Sequence, residues 1–232
     1  MDIGKAFTYV FEDERWITKV LIGGLFVLAS IVLVGIPILA GYALRTMRNV
    51  MNGVEKPLPE WTNIGDLFKE GLYLAVIIII WAIPVILIAC IFGIAGGLAG
   101  SSNSSAGANA MGLLSTCVSC LAGLWSLAMY VFMPALFIRF AEKPEIRTGF
   151  EFAELWAFTR ANISNIIIAV LLGLVASLAA SVVGSIACGV GTFFTSFWAY
   201  TVMAHLYGQV GLKAKGGTGM DFSMPAPPAG AA

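Results

Sequence analysis

GYALRTMRNVMNGVEKPLPEWTNIGD, residues 41–66, is the one long polar segment set between two strongly apolar blocks. It contains Arg45, Arg48, Gly53, the spacer Pro57-Leu58-Pro59 and Trp61. On its N-terminal side, residues 20–44 hold no Asp, Glu, Lys, Arg or His. On its C-terminal side, residues 71–138 hold none either. About 20 uncharged apolar residues suffice to cross a ~30 Å hydrocarbon core as a helix. A closed β-barrel is the other way to span a bilayer, but it requires apolar and polar residues to alternate. VIIIIWAIPVILIACIF, residues 76–92, does not alternate. The reading is an all-α, polytopic transmembrane bundle built from helical hairpins, with short amphipathic interfacial helices.

Composition agrees. Of 232 residues, 59% are hydrophobic and 11% charged, against about 25% charged in soluble domains. The net charge is zero, but its distribution is uneven. All thirteen Lys and Arg residues lie outside the apolar blocks. They form four groups: Lys5, Arg15 and Lys19; Arg45, Arg48, Lys56 and Lys69; Arg139, Lys143, Arg147 and Arg160; Lys213 and Lys215. The loop SSNSSAGANA, residues 101–110, has none. Cytoplasmic flanks carry the Lys and Arg excess. This places residues 45–70, 139–162 and the C-terminal tail inside, and 100–111 outside. No basic group is dense enough for nucleic-acid binding. The four cysteines, Cys90, Cys117, Cys120 and Cys188, all sit in apolar segments and imply no disulfide framework. The first sixteen residues are mixed in charge, and the run that follows is too long for a signal-peptide core, so it reads as a retained anchor.

In chain order, residues 2–16 read as a short amphipathic helix capped by Asp2, with Ile3, Phe7, Val10 and Phe11 on one face. Such a helix lies in the membrane interface or packs on its own protein. The apolar segments that follow fall at about 17–44, 72–98, 112–140, 163–183 and 188–208. They make one integral membrane domain over residues 1–212. Gly35-Ile36-Pro37 interrupts the first segment, because proline removes a backbone donor and crowds the preceding turn. That segment either crosses once or folds back as a re-entrant hairpin, and folding back satisfies the charge rule everywhere. Gly53 suits the C′ position of the helix that precedes it. Residues 163–207 are too long for one crossing at 1.5 Å per residue and divide near 183–191. The Gly/Pro/Ala-rich residues 213–232 are expected to be a disordered cytoplasmic tail.

Close approach of helices needs small side chains. Gly93 with Gly97, and Gly96 with Gly100, have that spacing, though it is common in apolar runs. A longer row runs through Ala169, Gly173, Ser177, Ser181 and Ser185, with Ala176, Ala180, Gly184 and Cys188 parallel to it. Gly173, Ser177, Ser181 and Ser185 are taken as the packing surface, and their helix, the fourth segment, as the central one. A weak repeat is also present: an aromatic, half-charged stretch precedes an apolar block near residues 7–16, 61–68 and 150–158.

GYALRTMRNVMNG, then PLPEWTNIGDLFKEGL, with FEDERWITKVLIGG upstream and WAYTVMAHLYGQ near the end, resembles a prokaryotic membrane-protein family known only as domain of unknown function 4013. The resemblance covers nearly the whole chain up to Leu212. It implies a multi-pass membrane protein and carries no activity with it.

Chemistry is sparse. Cys117-x-x-Cys120 has zinc or redox spacing, but two cysteines do not close a four-ligand site and on a helix they act as small hydrophobes. His205 lies near the end of the fifth segment and reads as an interfacial histidine. No paired carboxylates occur in an apolar segment, and no catalytic triad, phosphate loop or HExxH helix is present. No catalytic, cofactor-binding or metal-binding residue is therefore assigned, and no cofactor is expected. The expected role is non-enzymatic: organising lipid, or docking a protein partner or a second copy of the chain, at the cytoplasmic face of the plasma membrane. Arg45, Arg48, Asn49 and Trp61 are the candidate docking residues, because guanidinium groups suit phosphate and carboxylate geometry. Two alternatives stand beside this: a transporter or channel for a small neutral solute, and a membrane subunit of a lipid-headgroup enzyme.

Overall fold

The computed structural model describes residues 1–100, 105–186 and 189–218. Among them the chain is predominantly helical, with no strand. The helices are α1 (Ile3–Thr8), α2 (Trp16–Ala29), α3 (Gly35–Met51), α4 (Ile64–Gly100), α5 (Ser105–Glu142), α6 (Phe152–Ile186) and α7 (Gly191–Thr218). Short 3-10 turns occupy Ser30–Val32 and Ile146–Phe150. Consecutive helices pair as α2–α3, α4–α5 and α6–α7, so each aromatic, half-charged stretch of the repeat precedes one helical hairpin. Among the described residues three helices are long and apolar enough to cross a membrane: Ile64–Ile94, Leu114–Glu142 and Phe152–Ile186. Their outward faces expose Ile79, Leu87, Leu121, Leu127, Leu171 and Leu178, as a hydrocarbon solvent requires.

The first apolar block does fold back. α2 has 14 residues, about 21 Å at 1.5 Å per residue and short of the ~30 Å core. The chain reverses at 30–34, just before the predicted break. Ser30 Oγ donates to the Phe26 carbonyl at 2.9 Å, and Leu33 takes a left-handed φ of 65°. Pro37 sits in the first turn of α3, where the missing N–H has no helical acceptor to lose. The tip, Ile31 to Val34, is uncharged and 54–72% exposed. At its other end α3 closes in a Schellman motif. Gly53 at φ 71° is the C′ residue, Gly53 N–H donates to Val50 O, and Val54 N–H to Asn49 O, both at 3.0 Å, as that motif prescribes.

The amphipathic helix is shorter than predicted. Asp2 caps it as expected, accepting from Lys5 N at 3.0 Å, but α1 ends at Thr8. Ala6, Tyr9 and Val10 are buried, and Tyr9 Oη donates to the Thr201 carbonyl at 2.9 Å. The segment thus packs on its own protein through these residues.

The central helix is α7, where the fourth apolar segment was expected. α7 packs against α1, α2, α3, α5 and α6, whereas α6 meets chiefly α7 and α5. Shielded on several sides, α7 tolerates Thr201, His205 and Gln209 in its interior face. The packing row on α6 is shifted too. Ala169, Gly173, Ala176, Ala180 and Gly184 are buried, while Ser177, Ser181 and Ser185 are not. Each of these hydroxyls donates to the carbonyl four residues back, at 2.7–2.9 Å, so the serines satisfy themselves while facing outward. Gly173 faces Met203, and Gly184 faces Thr192 and Thr195. Thr195 Oγ1 donates to the Ala180 carbonyl at 2.8 Å. On α4, by contrast, nothing among the described residues lies within 4 Å of a methyl group placed at Gly93.

α3 and α4 meet at the closest approach of backbones. A methyl group at Gly41 would overlap the Leu67 carbonyl, and one at Gly71 the Pro37 carbonyl. α7 continues to Thr218, past Leu212, where the membrane domain was expected to end. The predicted tail beyond it, residues 219–232, lies outside the described residues, as do Cys188 and residues 101–104.

Candidate functional site

The ionisable side chains gather where the last turns of α3, α5 and α7 meet the first turns of α4 and α6. Arg48 Nη2 lies 3.1 Å from Glu70 Oε2, and its Nε donates to the Ala141 carbonyl at 2.7 Å. Arg45 Nη2 is 3.8 Å from the other Glu70 oxygen. Arg139 pairs with Glu151 and Glu154, and Lys215 with Glu142 at 3.1 Å. The helix ends at 100, 105, 186 and 191, and the hairpin tip at 30–34, carry no charged residue. The charged groups therefore share one end of the bundle.

The four residues proposed for docking divide into two groups. Arg45 and Arg48 turn towards α4 and share the Glu70 carboxylate. Tyr42 and Asn49, seven residues apart, point to the proline-bearing loop instead. Tyr42 Oη donates to the Pro59 carbonyl and Asn49 Nδ2 to the Pro57 carbonyl, each at 2.9 Å. Trp61 belongs to this second group. It stacks on Tyr42 with ring centroids 4.2 Å apart, and stands 5.0 Å from Phe26 and 5.8 Å from Phe197. Its indole N–H donates to the Lys19 carbonyl at 3.0 Å. Trp61 thus fastens the loop to the hairpin, and its recorded partners do not include the arginines.

Lys19 completes that fastening, and sequence reading passed over it as one flanking cation among many. It is 3% exposed. Its ammonium donates to Asp13 Oδ2 at 2.7 Å and to the Leu58 carbonyl at 3.0 Å, and lies 2.8 Å from Glu60 Oε1. Three acceptors meet three N–H groups, the arrangement a buried lysine requires. Burial works to raise the Asp13 carboxyl. The hydrogen bonds from Lys19 and from the Arg15 amide, with the charges of Lys19 and Lys56, outweigh it and hold Asp13 below the usual carboxylate range. Glu60 also meets Arg15 at 3.1 Å. The root of the hairpin is therefore tied by charge, while its tip is bare hydrocarbon.

Beside the hairpin, a groove of about 330 Å³ opens between α2, α6 and α7. Trp16, Val20, Ala179, Val183, Phe194 and Trp198 line it. Gly23 and Gly24 let α2 approach α7, facing Phe197 and Phe194. Trp198 Nε1 is buried and has no hydrogen-bond acceptor among the described residues. Ile17, Leu21 and Val183 around the groove are exposed.

At the charged end a second cleft, of about 580 Å³, lies between the start of α1, the loop after α3 and the last turns of α7. Gln209 accepts from Asp2 N–H through Oε1 and donates to the Asp2 carbonyl through Nε2, both at 2.8 Å. His205 Nδ1 is 3.1 Å from the same Nε2, and the Tyr9 ring lies 4.4 Å from the imidazole. His205 is thus a buried residue of α7 that Gln209 holds in place, at the charged end of the bundle. Cys90, Cys117 and Cys120 are exposed on the apolar faces of α4 and α5. Among the described residues no group of three or more His, Cys, Asp or Glu is placed to hold a metal ion.

A family model described as protein of unknown function (DUF4013) matches residues 24–189. No curated protein matches the chain, and no solved structure does.

Proposed function

We infer the role of this chain, a member of the family of proteins of unknown function DUF4013, from its own residues: it is a non-enzymatic integral membrane protein that organises lipid, holding an acyl chain beside its short hairpin. The observation that supports this reading is the groove between α2, α6 and α7. Its volume of about 330 Å³ falls within the ~300–1,000 Å³ range of ligand pockets, and apolar side chains dominate its lining. The indole of Trp198 lies along it. The acyl chain of a glycerolipid covers Val20, Val183 and Phe194. The charged end is taken as cytoplasmic, in keeping with the rule for basic flanks, in the plasma membrane.

Ala179→Trp tests the reading, since Ala179 lines the groove and is exposed. Parent and variant are extracted in mild detergent, and the phospholipid retained by each is measured by native mass spectrometry. The parent is expected to carry a lipid that the filled variant has lost, with the fold unchanged by circular dichroism. Equal retention by the two proteins refutes the groove as the lipid site.

A further inference from the structure

We propose that the cleft between α1, the loop after α3 and the last turns of α7 is a binding site for a phosphate ester. The starting point is the proton on His205. Asp2 N–H can only donate, so the Gln209 oxygen that it meets at 2.8 Å fixes which end of the amide is Nε2. That Nε2 then donates to the Asp2 carbonyl and faces His205 Nδ1 at 3.1 Å. Nδ1 must accept, and the neutral ring carries its proton on Nε2. That Nε2–H has no protein acceptor among the described residues. His205 is 3% exposed and lines the cleft. With its ring locked by Gln209 and Tyr9, His205 offers this N–H at the wall of the cleft, where solvent or a ligand can meet it.

Two ammonium groups join it. Lys5 lines the cleft and forms no ion pair among the described residues. Lys213 lines it as well, bound only to the Asn165 amide oxygen at 3.3 Å. Lysine binds phosphate as a point charge, and charge-assisted hydrogen bonds are the strong ones. Two carboxylates also line the cleft, Asp2 and Glu55. Asp2 is engaged in capping α1. Glu55 has no ion pair among the described residues and suits an ester whose alcohol carries an amine. The volume of about 580 Å³ holds more than a bare phosphate. This site is separate from the acyl-chain groove and does not depend on it.

The chain has a single histidine, so selective ¹⁵N-histidine labelling reports on His205 alone. Protein in dodecyl maltoside micelles, which carry no phosphate, is titrated with phosphoethanolamine. In a second arm, phosphatidylethanolamine is added to the micelles. A saturable shift of the Nε2 signal with the soluble ester identifies a soluble ligand, and a shift only with phosphatidylethanolamine identifies a lipid headgroup; either supports the site. Lys5→Gln with Lys213→Gln is expected to weaken binding at least about tenfold, the equivalent of roughly one charge-assisted hydrogen bond. Lys56→Gln, whose ammonium pairs with Glu14 outside the cleft, is expected to bind as the parent does. A signal unmoved by both probes, or moved equally in the double variant, overturns the proposal.

Discussion

Replacing Lys19 with methionine removes the ammonium that ties the hairpin to the 57–61 loop while keeping a side chain of similar length. The structure sets the cost. Asp13 is 8% exposed and loses its closest cation, at 2.7 Å. The Leu58 carbonyl loses its 3.0 Å donor. Glu60, half exposed and still paired with Arg15, is little affected. Breaking a buried ion pair from one side costs about 3–5 kcal/mol, because the other charge stays buried. Asp13 retains the Arg15 amide at 2.9 Å, which points to the lower end, about 3 kcal/mol. The assay is reversible unfolding in mixed micelles, combined with thiol labelling at Val32→Cys on the hairpin tip. Lys19→Met is expected to unfold earlier and to label faster. Adding Asp13→Leu removes the stranded charge and is expected to restore much of the loss, giving a coupling energy in a double-mutant cycle. A Lys19→Met protein within about 0.5 kcal/mol of the parent, the range of ordinary surface substitutions, refutes the reasoning. The pH dependence has a definite sign. Asp13 is held below its ordinary range, so its contribution is complete above that range and is lost as pH falls through the depressed value. Lys19→Met should flatten that acid limb.

Gly71→Val places a side chain against the Pro37 carbonyl, a backbone atom that cannot rotate away. A loss of about 1–3 kcal/mol is expected from overpacking, and parental stability in micelles would show that α3 and α4 do not touch there. On α6, Ser181→Leu faces outward and should change stability by less than about 0.5 kcal/mol. Ala180→Leu, one residue away and buried against α7, should cost about 1–3 kcal/mol. The reverse order would return the packing surface to the serine row.

What the sequence determined by itself is what local chemistry and the bilayer dictate. Uncharged runs of helical length can only be membrane helices, since unpaired backbone groups are intolerable in hydrocarbon. Gly53 at the end of α3 and a break near Pro37 follow from backbone preferences of a few residues, and both are present; that the break is a full reversal was for the tertiary structure to decide. The tertiary structure decided matters that depend on a neighbour. The serine and alanine rows of α6 are offset by one residue, about 100° around the helix, and similar small size made them equivalent until α7 was placed against one of them. Arg45, Arg48, Asn49 and Trp61 are close in sequence, yet the helix turns the arginines to Glu70 and Asn49 to the loop that Trp61 ends. Lys19 finds its acceptors at Leu58 and Glu60, some forty residues on, and His205 is positioned through Gln209 by Asp2, at a sequence separation of 207. Nothing in the order of residues marks such meetings, because they are made by chain reversal and by which helix face is buried.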